Sequence, residues 1–195
     1  TGNKGFLQQA VMAVHGVDQV EARRILKEWK VEEGNYQPKE RKELPPIDAR
    51  VRDGYIRNLN ADAVRREQAH KKFGWNPETL KRFGIGWSPE TQRYTIPILD
   101  EAGQIRNIRM YGPDSKGIDK MISWKAGYGS PARLFPMDAL KKQTVIVCEG
   151  EKDCILMSQV LDRFAPDDWS AITGTGGAGT WRDAWCEKFR GKDVV

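Results

Sequence analysis

Glu149 and Asp153 lie four residues apart around a predicted strand-to-helix turn, and carboxylates so placed can move a proton or hold a cation. Val145, Ile146, Val147 and Cys148 read as a short buried strand that delivers Glu149 to its carboxyl end, where open α/β sheets place their sites. Gly150 lets the backbone turn tightly there. Asp153 falls in the first turns of the following helix, so the two acids can share a metal-bound or phosphate-facing cleft. The competing reading of the spacing is structural, since acids near a helix start complement its dipole. The loop Gly174-Thr175-Gly176-Gly177-Ala178-Gly179 precedes another predicted helix and can offer backbone N–H groups to phosphate. No Gly-Lys-Ser/Thr follows, so it is not a P-loop, and a structural turn explains it equally well.

The elements that position these residues follow from apolar periodicity and turn chemistry. Phe6, Leu7, Ala10, Val11 and Val14 mark one helix, ended by Gly16. Asp18 and Glu21 form a capping box that opens a second, with Val20, Ile25, Leu26 and Trp29 on its apolar side. Residues 32–46 are polar, contain Pro38, Pro45 and Pro46, and read as a linker. A basic amphipathic helix is predicted over 61–73. A short one, capped by Asn76 with Pro77 at its first position, runs to Phe83 and stops at Gly84.

The period then changes to two. Residues 93–99 and 104–111 are predicted strands joined at Asp100–Gly103, and Pro97 marks an edge strand or an irregularity. Strands at 144–148 and 169–173 alternate with helices at 152–164 and 180–189, and residues 192–195 begin a third strand. This alternation predicts a parallel α/β sheet. The third strand is cut short, so residue 195 is not expected to be a natural terminus.

The expected architecture is α/β throughout. A helical segment and linker occupy 1–46, a basic mixed α+β subdomain 47–141, and part of a parallel α/β sheet 142–195. Of 195 residues, 39% are hydrophobic and 30% charged, a globular balance with enough chain for a real core. The longest apolar run is far short of a membrane span, and no signal-peptide pattern opens the chain. Three unpaired cysteines, Cys148, Cys154 and Cys186, argue against a disulfide framework or a zinc site and fit a cytoplasmic, reducing compartment. The net charge of +5 divides as +3 over residues 1–80, +4 over 81–133 and −2 over 134–195. A basic front and an acidic back suit a phosphate-rich partner and a cation, or simply a mildly basic surface.

The block from Val145 to Asp153 resembles the opening motif of the Toprim domain of DnaG-type primases, type IA topoisomerases and related nucleases. Glu149, Gly150 and Asp153 match a strand ending in Glu-Gly and an Asp in the next helix. Gly174 matches the glycine after the second strand, and the family's later Asp-x-Asp pair would fall beyond Val195. Upstream, Leu80–Pro89, Arg93–Ile98 with the Asp100–Gly103 turn, Arg109, Lys120–Ser123 and Leu134–Leu140 are similar, in order, to successive segments of bacterial and phage primases. Gly2–Phe6 and the two helices after it resemble the tail of a primase zinc module. Zinc is expected only if such a module lies upstream, because His15 and His70 are isolated.

The resemblance implies template-directed RNA primer synthesis on single-stranded DNA, in a phage or mobile-element primase or the primase half of a primase–helicase. It implies Mg²⁺ (or Mn²⁺), ribonucleoside triphosphates, a replicative helicase as partner, and no membrane. Glu149 and Asp153 would be catalytic, with Glu149 either proton acceptor or metal ligand. Arg93, Arg109, Lys120, Lys125, Gly150 and Gly174 would form the nucleic-acid or nucleotide face, since arginine grips phosphate bidentately. Arg106 should face away from Arg109, on the other side of the strand. Trp87 and Trp124 suit base stacking but, as large aromatics, are expected in the core. The alternatives are a Toprim nuclease or topoisomerase, and a catalytically silent single-strand-binding module that recruits a helicase. Tyr36, Tyr55, Tyr94, Tyr111 and Tyr128 show no nucleophile setting.

Overall fold

The computed structural model describes residues 12, 16–28, 43–116, 120–177 and 180–195. The chain divides into two compact units, Thr1–Arg41 and Lys42–Val195, each described by itself. In the first, helix α1 (Gln19–Glu28) is capped as expected, the Asp18 carboxylate accepting from the Glu21 amide at 2.9 Å. The predicted helix before Gly16, apart from Met12, lies outside the described residues, as do Trp29, His15 and the linker up to Lys42.

The second unit opens with three helices where two were expected. α2 (Ala49–Ala61) went unpredicted, and the helix expected over 61–73 is α3 (Ala63–Phe73). Asp62 separates them by ending α2 in extended backbone while its carboxylate caps α3 at the Arg65 amide, 3.0 Å away. α4 (Pro77–Arg82) begins as predicted, Asn76 accepting from the Thr79 amide at 2.8 Å.

Four antiparallel strands follow in the order β1 (Gly86–Ser88), β2 (Arg93–Leu99), β3 (Ile105–Tyr111), β4 (Met121–Ser123). Asp100 builds the β2–β3 turn, its carboxylate accepting from Ala102 and Gln104 amides at 3.0 and 2.9 Å. β2 is an inner strand, yet Pro97 is tolerated. β1 pairs only with Arg93–Thr95, so β2 has no ladder on that side at Pro97, and the register with β3 slips just after, between Ile98 and Leu99. Gly86 brings β1 against α2: a Cβ there would stand 2.5 Å from the carbonyl carbon of Tyr55.

The second sheet has the order β5 (Leu134–Phe135), β7 (Trp169–Gly174), β6 (Thr144–Cys148), β8 (Asp193–Val194). β6 runs parallel to β7 and β8, with α5 (Glu151–Phe164) as the β6–β7 crossover, and β5 is antiparallel. The expected helix over 180–189 shortens to α6 (Asp183–Cys186) and a 3₁₀ turn at Glu187–Phe189, because Arg182 is extended. Trp181, Trp185 and Phe189 nevertheless pack ring to ring.

One core joins the two sheets. Tyr94, Ile96, Ile98 and Tyr111 from the first pack with Leu59, Trp75, Leu80 and Phe83 from the helical base and with Cys154, Ile155 and Leu161 of α5. A second core, with Val145, Ile172 and Trp185, covers the other face of the second sheet. This cover reaches Val145 but not Val147, so β6 is less buried than its sequence suggests. A third, around Ile105, Ile108 and Met110, backs the first sheet. No helix among the described residues is long and apolar enough to cross a membrane.

Candidate active site and nucleic-acid face

β6 ends at Cys148, Glu149 follows exposed, and Gly150 caps α5, its carbonyl accepting from the Cys154 amide at 3.0 Å. Cys148 and Thr173 are register partners on parallel strands, so Glu149 leaves β6 beside Gly174, the last residue of β7. Asp153 is exposed in the first turn of α5. The predicted strand–Glu–Gly–helix–Asp arrangement is therefore present, with both carboxylates facing solvent.

The same turn carries an acid that the sequence reading passed over. Glu151, the first residue of α5, is 5% exposed, and its Oε1 accepts from Arg109 Nε at 2.8 Å. Arg109 projects from β3 on the Tyr111 side, its side chain 14% exposed. An ion pair this buried needs both partners; losing one costs about 3–5 kcal/mol because the other is left uncompensated. Arg106 faces the other way, as alternation predicted, with Glu43 at 2.5 Å and Asp100 at 3.8 Å. Arg133 also binds Glu43, and this contact above all holds the Glu43 carboxyl below its usual range.

The remaining basic candidates separate. Lys120 is exposed, its ammonium 5.9 Å from the Tyr111 ring centre, and Lys152 of α5 approaches the same ring at 5.4 Å. Lys152, also passed over in the sequence, thus joins Lys120 and Arg109 around Tyr111. Arg93 is half-buried and folds over Gly112, with Nη2 3.3 Å from Ser115 Oγ. Lys125 lies 4.2 Å over Trp124, which packs on the core behind the first sheet, away from Arg109. Trp87 is core, 3% exposed beneath Arg65. Gly174 seats Trp185, whose ring would lie 2.9 Å from an added Cβ, which gives that glycine a packing role. Residues 178–179 of the glycine loop lie outside the described residues.

Two thiols bracket the turn. Cys154 donates to the Phe135 carbonyl at 3.5 Å and is fully buried, and its contact with Cys148 together with that burial pushes its thiol well above the usual range. The same contact with Cys154 lowers Cys148. Among the described residues no three His, Cys, Asp or Glu side chains gather as a metal-binding group. Glu149 and Asp153 thus offer two carboxylates and do not by themselves make a metal site.

Compared with solved structures, the chain is similar to a DnaG primase catalytic domain bound to single-stranded DNA, with TM-score 0.57 and 17% identity over 75% of this chain and 59% of that one. The chain has the fold of a DnaG-type primase catalytic core. The catalytic core of E. coli primase (TM-score 0.54, 18% identity, 74% of this chain and 58% of that one) and a DNA primase domain from Pseudomonas aeruginosa (0.53, 17%, 74% and 57%) are similar in the same way. The chain thus spans under two thirds of the DnaG structures it matches. No family model matches it, and no curated protein matches it in sequence. Within the DnaG-type fold, the Glu149 turn and the Arg109–Tyr111 strand are drawn together by the Arg109–Glu151 pair.

Proposed function

We propose that the chain is the template- and nucleotide-holding part of a DNA primase that joins ribonucleotides on single-stranded DNA. The observation that carries this reading is the outward pair Glu149 and Asp153 at the carboxyl end of β6, on a DnaG-type fold. In primer synthesis a ribose 3′-hydroxyl attacks the α-phosphorus of a triphosphate and pyrophosphate leaves. Glu149 is placed in solvent to accept the hydroxyl proton or to share a divalent cation, Mg²⁺ or Mn²⁺, as the resemblance implies. Lys120, Lys152 and Arg109 supply positive charge beside it, suited to template and triphosphate. A replicative helicase, fused or separate, completes the partners of this reading, in a phage or mobile element.

The test is primer synthesis by the protein that contains this chain, on a single-stranded template with ribonucleotides and Mg²⁺. Glu149→Gln should keep the fold and template binding and lower the rate about 10²-fold or more, the scale of general acid–base work. Undiminished synthesis by the folded variant would return Glu149 to a structural role. Oligonucleotide binding without any synthesis by the parent would favour the silent binding module.

A further inference from the structure

We infer that Glu151 is a positioning residue for nucleic-acid phosphate: by holding Arg109 through Nε, it aims the rest of that guanidinium at the strand that the primase-like face would bind. The inference rests on that reading of the face and names a residue that the reading does not require. Three observations carry it.

First, Glu151 engages Arg109 at one nitrogen only, Nε, at 2.8 Å. Neither Nη makes a hydrogen bond among the described residues, and neither is among the sealed, unpartnered polar atoms of the core, so both reach solvent. A guanidinium held at Nε and open at its two Nη groups keeps a pair of parallel donors for a phosphate oxygen pair. Second, Glu151 is the one acid of Glu149, Glu151 and Asp153 that turns inward; the other two are exposed. A buried carboxylate is costly unless paired, so the contact fixes α5's first turn and Arg109 together. Third, Lys120 and Lys152 flank Tyr111, two residues along β3 on the same face as Arg109, so the donors lie among other cations.

Coulomb's law alone predicts the opposite of positioning, which makes the test sharp. Removing a negative charge beside a basic face should tighten DNA binding. If Glu151 orients Arg109, its loss should weaken binding in spite of that gain. The probe is a labelled single-stranded oligonucleotide in fluorescence anisotropy, at several salt concentrations and below each variant's melting temperature. Glu151→Met, similar in length but unable to accept, should weaken binding on the order of tenfold, the scale of one charge-assisted hydrogen bond. Glu151→Gln still accepts from Nε and should keep most of the affinity, although it too loses the charge. Arg109→Ala should weaken binding as well, and adding Glu151→Met to it should change the affinity no further.

Parent-like or tighter binding by folded Glu151→Met overturns the inference, as does equal weakening by the Gln variant. If the Met variant does not fold, Arg109→Lys carries the test. One ammonium cannot hold Glu151 and present a fork, so its affinity should fall by a similar factor, and parent-like affinity would overturn the inference. A parent chain that binds no oligonucleotide defeats the reading and the inference with it, whereas a parent that binds while these variants match it defeats the inference alone.

Discussion

Gln159 is the clearest mechanical link between the helix that starts at the Glu149 turn and the rest of the fold. From α5 its Oε1 accepts from the Asn76 amide at 2.9 Å and the Thr79 hydroxyl at 2.7 Å, and its Nε2 donates to the Gly74 carbonyl at 3.0 Å. These three partners form the junction between α3 and α4. Gln159→Leu keeps the bulk and removes every bond. At about 1 kcal/mol net for each hydrogen bond, the loss sums to about 3 kcal/mol. The site is only partly buried, so water recovers some of this and about 2 kcal/mol should remain. Gln159→Glu keeps both accepting roles and loses only the donor to Gly74, so it should cost about half as much at neutral pH, more if the carboxylate repels that carbonyl. Urea denaturation followed by tryptophan fluorescence measures all three proteins, with unchanged m-values as the condition for comparison. A Leu variant within about 0.5 kcal/mol of the parent, the range of ordinary surface substitutions, would show that the junction does not depend on Gln159.

Gly86→Ala should destabilise by about 3 kcal/mol, the upper end for overpacking, because the new methyl meets the Tyr55 backbone of α2 at 2.5 Å and not a side chain that can swing away; a denaturation midpoint like the parent's would contradict the close approach. Tyr94 is fully buried, and burial above all raises its phenol from 10.0 to about 12. With the folded value above the unfolded one, its contribution is complete below about pH 10 and is lost as pH rises through 12. Tyr94→Phe, which removes the donor to the Arg65 carbonyl, should cost about 1 kcal/mol at neutral pH and make the alkaline loss between pH 10 and 12 shallower in stability measurements across that range.

Features decided within a few neighbouring residues were legible. The caps at Asp18 and Asn76, the Asp100–Gly103 turn and the strand–Glu–Gly–helix order each rest on local chemistry, and each is present. α2 was missed although its signals are local: Asp48 caps it, and Val51, Tyr55, Ile56 and Leu59 recur at helical spacing, but Gly54 and the surrounding charges obscure the stripe. The short strands β1, β4 and β5 were not legible, because two or three residues become a strand only when a distant partner pairs with them. At the other end of the chain, Trp181, Trp185 and Phe189 imitate a long helical stripe, yet their contacts form across a helix of one turn.

The charge distribution shows why the binding face could not be read by segments. The +4 of residues 81–133 suggested a wide basic surface, but much of that charge is engaged internally. Arg82 binds Asp162, Arg106 and Arg133 converge on Glu43, and Arg93 reaches into the loop after β3, while Arg109 gives Glu151 its Nε and keeps its Nη groups for a phosphate. Lys81, Lys116, Lys120 and Lys125 stay exposed in the basic segment; of these Lys120 lies at Tyr111, and the cation beside it there, Lys152, comes from the acidic segment. Segment charge counts ions, whereas a phosphate meets only those that the fold leaves unspent. Folding moves the effective charge toward the Glu149 turn by pairing Glu151 inward, so the acids left in solvent there are Glu149 and Asp153. The residue that does this is invisible to motif reading, because its partner lies forty-two positions upstream and on the other sheet.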